Sequence, residues 1–88
     1  MQQFGDQVVV VTGGGAGIGR ATCLRFANAG AAVVVAEINE ETGVRTAADI
    51  VDAGGKSLFV QTDVSDESSV VAMVDAVTLA YLSFAEIT

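Results

Sequence analysis

The chain has 88 residues, of which 51% are hydrophobic and 17% are charged, and eleven acidic against four basic side chains give a formal net charge of −7. A chain of this length forms at most one small domain, and too few cations are present to neutralise the phosphates of a nucleic acid or of an anionic membrane surface. One cysteine and no histidine exclude an internal disulfide and predict no metal site, and without a predicted signal peptide or membrane-spanning segment we expect a cytoplasmic protein.

The first predicted element is a buried strand, Val8 to Val11, that leads directly into a glycine-rich loop. Residues 12–19 read Thr-Gly-Gly-Gly-Ala-Gly-Ile-Gly. Glycine lets a backbone approach a phosphate closely, and the free N–H groups at the start of the following helix favour an anion. The glycine spacing does not fit the Gly-x-Gly-x-x-Gly dinucleotide pattern. It does not fit a P-loop either, because a P-loop needs a lysine directly after its last glycine. The alternative is a glycine-rich turn that binds no ligand.

The first predicted helix begins near Gly17 and ends before Gly30, and Cys23 lies in it as a buried or half-buried thiol. Its apolar face is predicted to comprise Ile18, Ala21, Thr22, Phe26 and Ala29. The second predicted strand, Ala32 to Ala36, ends at Glu37. A dinucleotide fold places an acid at this point, about 20 residues beyond the loop, to bind the hydroxyls of the adenosine ribose. The alternative is a solvated acid before a helix.

The second predicted helix opens at Asn39 as its N-cap and stops at Gly54 and Gly55. Its buried face is predicted to comprise Val44, Ala47, Ala48 and Val51. The third predicted strand, Leu58 to Val60, is followed by Asp63, Val64 and Ser65. These residues suit ligand binding at the end of a strand, and they equally suit a loop-to-helix junction with Ser65 as N-cap. The pattern by itself leaves both interpretations open.

The third predicted helix runs from about Asp66, with Val70, Met73, Val74 and Val77 as an apolar stripe for the core or a subunit contact. Leu82 to Thr88 is predicted as a degenerate fourth strand. Strand and helix alternate throughout, and the strands are apolar without polar alternation. This pattern predicts an α/β fold in which a single domain, residues 1–88, forms the first βαβαβ half of a Rossmann-type doubly wound parallel sheet.

Thr12-Gly13-x-x-x-Gly17-x-Gly19, the acid Glu37 and the pair Asp63-Val64 together resemble the short-chain dehydrogenase/reductase family up to about residue 77, with divergence over 78–88. The resemblance implies a dinucleotide cofactor, with NAD preferred over NADP, because Ala16 and Ile38 stand where NADP-binding members usually carry a basic residue. It implies cofactor contacts at Thr12, Gly13, Gly15, Gly17, Ile18, Gly19, Glu37, Ile38, Asp63 and Val64.

The resemblance also implies an oxidoreductase that moves a hydride between NAD and a small-molecule alcohol or ketone. The family's catalytic Tyr-x-x-x-Lys pair has no counterpart, since Tyr81 is followed four residues later by Ala85. We therefore predict no catalytic residue. Three interpretations stay open: the cofactor-binding portion of a dehydrogenase, a non-catalytic nucleotide-binding module that senses NAD or pairs with a full-length relative, and a remnant that does not fold. A homo-oligomer and pairing with a full-length relative are the protein partner arrangements that stay open.

Overall fold

The computed structural model describes residue 5 and residues 7–87, with side chains up to residue 80. Within these residues, one parallel sheet contains β1 (Val8–Thr12), β2 (Ala32–Glu37) and β3 (Lys56–Gln61), in the spatial order β1-β2-β3. The helices of the described part are α1 (Gly17–Asn28), α2 (Glu40–Asp52) and α3 (Glu67–Ile87). The α/β class, the parallel sheet and the partial Rossmann-type arrangement predicted from the sequence are confirmed.

The central strand β2 is the most deeply buried element of the described chain. The side chains of Val33, Val34 and Val35 are fully inaccessible to solvent. Val34 pairs with Val10 of β1 on one side and with Leu58 of β3 on the other. Burial on both faces explains why the strand is a continuous apolar run, because each face must be covered by helices.

Helices cover both faces of this sheet. One core cluster joins Val33 and Val35 to Cys23 of α1 and to Ala47 and Ile50 of α2. Helix α3 instead contacts β3 and β2, and its buried residues Met73 and Ala80 do not belong to that cluster. They cover the opposite face, to which Val34 points because successive side chains of a strand alternate.

The predicted buried face of α2 is wrong in part. Ala47 is buried as predicted, but Ala48 is exposed and the side chains of Val44 and Val51 are 47% and 52% exposed. The face that meets the sheet contains Gly43, Thr46, Ala47 and Ile50. A Cβ at Gly43 would overlap the ring of Phe59, so the glycine marks the line along which the helix lies closest to β3.

The predicted faces of α1 and α3 also need correction. In α1, Ile18 and Ala21 are exposed, whereas Cys23 is fully buried. In α3, Met73 is buried and Val70 and Val77 are half-buried as predicted, but Val74 is 52% exposed. Hydrophobic spacing overlooks glycine and small polar residues, and in α2 Gly43 and Thr46 occupy part of the contact face.

The predicted degenerate fourth strand is wrong, because the backbone is helical through Ile87, and Thr88 lies outside the described residues. Neither glycine nor proline occurs between Glu67 and Ile87, so no residue in this stretch breaks the helix. The N-cap prediction for Ser65 is also wrong. The carbonyl of Asp66 accepts from the N–H of Val70, and the Asp66 carboxylate accepts from the N–H of Ser68 at 3.0 Å.

Among residues 5 and 7–87, no helix combines the length and the apolar character that crossing a bilayer requires.

Replacing Ile50 by Ala should destabilise the fold far more than replacing its neighbour Val51 by Ala. Ile50 is 1% exposed and Val51 is 52% exposed. A buried Ile→Ala change costs about 2–5 kcal/mol, whereas an exposed substitution stays within about 0.5 kcal/mol. Urea unfolding followed by circular dichroism gives both values, and equal losses would contradict the observed face of α2. Ile50→Val, with a cost of about 0.5–1.5 kcal/mol, serves if the Ala variant does not fold.

Candidate functional site

The predicted cofactor contacts lie together at the carboxyl ends of the three strands. A cavity of about 430 Å³ opens there, and its lining residues are Thr12, Gly13, Ala36, Glu37, Ile38, Thr62, Asp63 and Val64. The remaining predicted residues do not line the cavity. Gly15 lies in the loop after β1, and Gly17, Ile18 and Gly19 form the first turn of α1. The topology thus brings together three segments that are far apart in the sequence.

The glycine loop folds tightly back on itself between β1 and α1. Gly13 and Gly17 have φ angles of +68° and +57°, values that favour glycine because a side chain is strained there. The N–H of Gly13 donates to the carbonyl of Ala36 at 2.8 Å, which ties the loop to the end of β2. A Cβ at Gly19 would overlap the Gly13 carbonyl. The backbone of the loop therefore excludes any side chain at position 19.

The Cys23 side chain packs against this loop at Gly14. A Cβ at Gly14 would lie 2.8 Å from the Cys23 sulfur and 2.9 Å from a methyl group of Val35. The thiol is fully buried, and burial raises its pKa. A buried neutral thiol is a poor nucleophile. The predicted burial of Cys23 is confirmed.

The amino end of α1 differs from the amino ends of the other helices in the described part of the chain. Its N-cap residue, Ala16, makes no side-chain hydrogen bond, and no acid lies in the first turn. In α2 the Asn39 side chain accepts from the N–H of Thr42 at 3.2 Å, and Glu40 and Glu41 follow. The first N–H groups of α1 therefore face the loop with no capping side chain, which suits an anionic ligand.

The Glu37 carboxylate is held by two backbone N–H groups. Gly15 donates to Oε1 at 2.9 Å, and Asn39 donates to Oε2 at 3.0 Å. The bond from Asn39 contributes most to lowering the pKa of Glu37; the bonds from Gly15 and Ile38 act in the same direction and partial burial opposes them. The group is therefore ionised at neutral pH. Each oxygen of a carboxylate has two acceptor sites, so Glu37 retains capacity to accept from hydroxyls of a ligand.

Asp63 is oriented by the residues that follow it. Its Oδ1 accepts from the N–H of Ser65 at 3.0 Å and from the Ser65 hydroxyl at 2.6 Å. Its own N–H donates to the Ser69 hydroxyl at 2.9 Å. Oδ1 is thus occupied by Ser65, and Oδ2 is the oxygen available to a ligand. The residues next to these acids, Ile38 and Val64, are 58% and 66% exposed and give the cleft an apolar rim.

Sequence reasoning missed the link that joins α1 to α2. The Arg20 guanidinium donates to the buried hydroxyl of Thr46 at 3.1 Å and to the Asp49 carboxylate at 2.6 Å. No local pattern signals this contact, because the partners are distant in sequence. Ser65 was also given the wrong role. Its position two residues after an aspartate is the signal, since Asp side chains commonly accept from the backbone N–H two residues on.

A second cavity, of about 790 Å³, lies at the opposite end of the sheet, where Arg25, Gly54 and Lys56 contribute to its lining. It opens beside the carboxyl ends of α1 and α2, where helix dipoles place partial negative charge. None of the predicted cofactor contacts lines it. The cleft at the carboxyl ends of the strands is therefore the one that the predicted cofactor contacts border.

Comparison with known proteins gives a consistent result. The short chain dehydrogenase family matches residues 7–84. A short chain dehydrogenase/reductase from Aspergillus oryzae is 55% identical over 83 residues, which cover 91% of this chain and 32% of that protein.

Among solved structures, a short chain dehydrogenase/reductase from Burkholderia phymatum in complex with NAD superimposes with a TM-score of 0.86 and 36% identity, covering 92% of this chain and 28% of that one. The citronellol catabolism dehydrogenase of Pseudomonas aeruginosa gives a TM-score of 0.87 and 35% identity, covering 91% of this chain and 34% of that one. The chain spans about a third of the length of these relatives.

Replacing Glu37 by Gln should remove a pH-dependent contribution to stability. Because the pKa of Glu37 is lowered in the folded state, its ionised form stabilises the fold above the ordinary carboxyl pKa, and this stabilisation is lost as the pH falls through the lowered value. The gap in unfolding free energy between the native chain and the variant should be widest near neutral pH and close in acid. Urea unfolding at a series of pH values measures it, and a gap that widens in acid would contradict the assignment.

Proposed function

Because this chain belongs to the short-chain dehydrogenase family, whose members are oxidoreductases that bind NAD or NADP, we propose that it is the cofactor-binding portion of such an enzyme. In this proposal, the cleft at the carboxyl ends of the strands holds the adenosine and pyrophosphate of the dinucleotide. The full enzyme would transfer a hydride between the cofactor and a small-molecule alcohol or ketone, and the nicotinamide ring supplies that chemistry when the cofactor is bound.

One observation carries the proposal: the start of the glycine loop (Thr12 and Gly13), Glu37 and Asp63 come from three separate segments and border a single cavity. Ligands of open parallel sheets bind at the carboxyl ends of the strands. The strand order also agrees with the order of the groups in a dinucleotide. The loop after β1 would meet the pyrophosphate, Glu37 at the end of β2 the ribose, and Asp63 after β3 the adenine. A glycine-rich turn without a ligand does not require this convergence.

The pyrophosphate would lie against the loop and the uncapped start of α1. With a net charge of −7 and no side-chain cap on that helix, backbone N–H groups and the helix dipole would be the main source of attraction for the phosphates. Thr12, Gly13, Gly15, Gly17, Ile18 and Gly19 form this part of the proposed site. The close approach requires the glycines, since a Cβ at Gly19 already overlaps the Gly13 carbonyl.

The ribose of the adenosine would bind to Glu37. An ionised carboxylate accepts hydrogen bonds from the 2′- and 3′-hydroxyls and repels a 2′-phosphate, so we propose that NAD is preferred over NADP. The lowered pKa of Glu37 supports this role, because the group remains charged. The exposed neighbours Ala16 and Ile38 offer no cation to a 2′-phosphate.

The adenine would lie between the apolar rim and Asp63. Ile38 and Val64 expose apolar surface on which a base packs, and the unoccupied oxygen of Asp63, Oδ2, would accept from the exocyclic amino group. Ser65 orients this carboxylate through Oδ1. The residues therefore bind and orient the cofactor, and we assign no catalytic residue within residues 1–88.

The unpaired edge of β1 favours pairing with a further strand. Within the described residues β1 pairs with β2 alone, and Val10 of β1 is 36% exposed. An unpaired edge strand that carries a partly exposed valine accepts further structure. We propose that the rest of a longer dehydrogenase, a second copy or a full-length relative covers it.

Calorimetric titration of the purified chain with NAD and NADP tests the central proposal. We expect NAD to bind more tightly than NADP, Gly19→Ala to weaken both because the loop must open, and Glu37→Ala to weaken NAD alone. Loss of a hydrogen bond to a charged group costs about 1.5–3 kcal/mol, which corresponds to at least about a tenfold loss. Val51→Ala, on the exposed side of α2, is the control. A folded chain that binds neither dinucleotide would refute the proposal.

A base analogue tests the role of Asp63. Nicotinamide hypoxanthine dinucleotide carries a carbonyl oxygen where NAD has the adenine amino group, so it should bind at least about tenfold more weakly than NAD. Ser65→Ala should narrow that difference, because Asp63 loses its orienting hydroxyl, and Asp63→Ala should abolish it. Equal affinity of the native chain for both dinucleotides would show that Asp63 does not read the base.

A further inference from the structure

Gly15 lies at the contact between the glycine loop and the ribose-binding acid. Gly15 is buried, and its N–H donates to Oε1 of Glu37 at 2.9 Å. A Cβ at this position would lie 2.8 Å from that oxygen and 2.9 Å from Cγ of Glu37, and it would overlap the Thr42 hydroxyl. The space for a side chain at position 15 is therefore already taken by Glu37 and the start of α2.

We propose that the missing side chain at Gly15 determines cofactor choice, because it leaves room for the Glu37 carboxylate to meet the loop while it faces the ribose. Gly15 would be a specificity-determining position that acts through Glu37. This inference rests on the proposed function, since it concerns how the same cleft distinguishes NAD from NADP.

The surrounding contacts hold the backbone of Glu37 and the side chain of Thr42 in place against a larger residue at position 15. Its backbone carbonyl accepts from the N–H of Thr62 at 3.0 Å, which holds the end of β2 against the segment after β3. Thr42, the other neighbour, is held by the N-cap of α2, because Asn39 accepts from its N–H at 3.2 Å and from its hydroxyl at 3.3 Å. The group that can yield is the Glu37 side chain, which would rotate away from the loop.

Such a rotation would change the site in two ways. The ribose would lose its charged acceptor, which weakens NAD. The N–H groups of residue 15 and Asn39, which bind the Glu37 carboxylate in the native chain, would become available to another anion. A 2′-phosphate is such an anion, so the same substitution that weakens NAD should favour NADP.

The test is a double-mutant cycle on the ratio of NAD to NADP affinity, measured by calorimetry on the 88-residue chain. Gly15→Ala should reduce the ratio by about tenfold or more. The same change made in a Glu37→Ala background should alter the ratio by less than about twofold, because no carboxylate remains to be displaced. Gly55→Ala is the matched control, since it also places a Cβ against the end of a side chain, that of Ile50, at the opposite end of the sheet from Glu37.

A ratio unchanged in Gly15→Ala, or reduced equally in both backgrounds, would overturn the inference. Thr42→Ala combined with Gly15→Ala removes one of the two overlaps, and it replaces the single variant if that variant does not fold. A native chain that binds no dinucleotide would defeat the proposed function, and the inference would then be decided by NMR on the free chain. The amide proton of residue 15 should follow the titration of Glu37 in the native chain and cease to do so in Gly15→Ala; an unchanged response would refute it.

Discussion

The buried central strand β2 is the constraint on which the rest of the structure depends. Its valines are shielded on both faces, and it pairs in parallel with β1 on one side and β3 on the other. Parallel pairing places the carboxyl ends of all three strands at one edge. The loop after β1, the acid that ends β2 and the segment after β3 are consequently neighbours, although the sequence separates them widely.

Close backbone contact is the second requirement of this site. Several glycines of the loop occupy positions where a Cβ would meet other atoms: the Gly13 carbonyl beside Gly19, the Cys23 sulfur beside Gly14 and the Glu37 carboxylate beside Gly15. Gly13 and Gly17 are needed for a different reason, since their φ angles are positive and the space around them is open. A single glycine-rich run thus answers two distinct physical demands, close packing and backbone conformation.

The sequence predicted the strands and the site better than it predicted the helix faces. Continuous valine runs and the residues that end them identify buried parallel strands, so the positions of the loop, Glu37 and Asp63 could be anticipated. Hydrophobic period misplaced Val44 and Val51, because part of the contact face of α2 is made by Gly43 and Thr46, which that period does not count as apolar anchors. The prediction of a fourth strand was wrong because its residues, up to Ile87, continue the uninterrupted helix α3. The contacts of Arg20 with Thr46 and Asp49 depend on tertiary structure and leave no local signal.

The contacts of Arg20 have a mechanical consequence. The guanidinium joins α1 to Thr46 and Asp49 of α2, and the amino ends of these two helices flank the cleft. Motions that separate the helices must break both hydrogen bonds at once, so local opening of the loop and of the Glu37 region is coupled. The two hydrogen bonds thus hold the amino ends of α1 and α2 at one spacing on either side of the cleft.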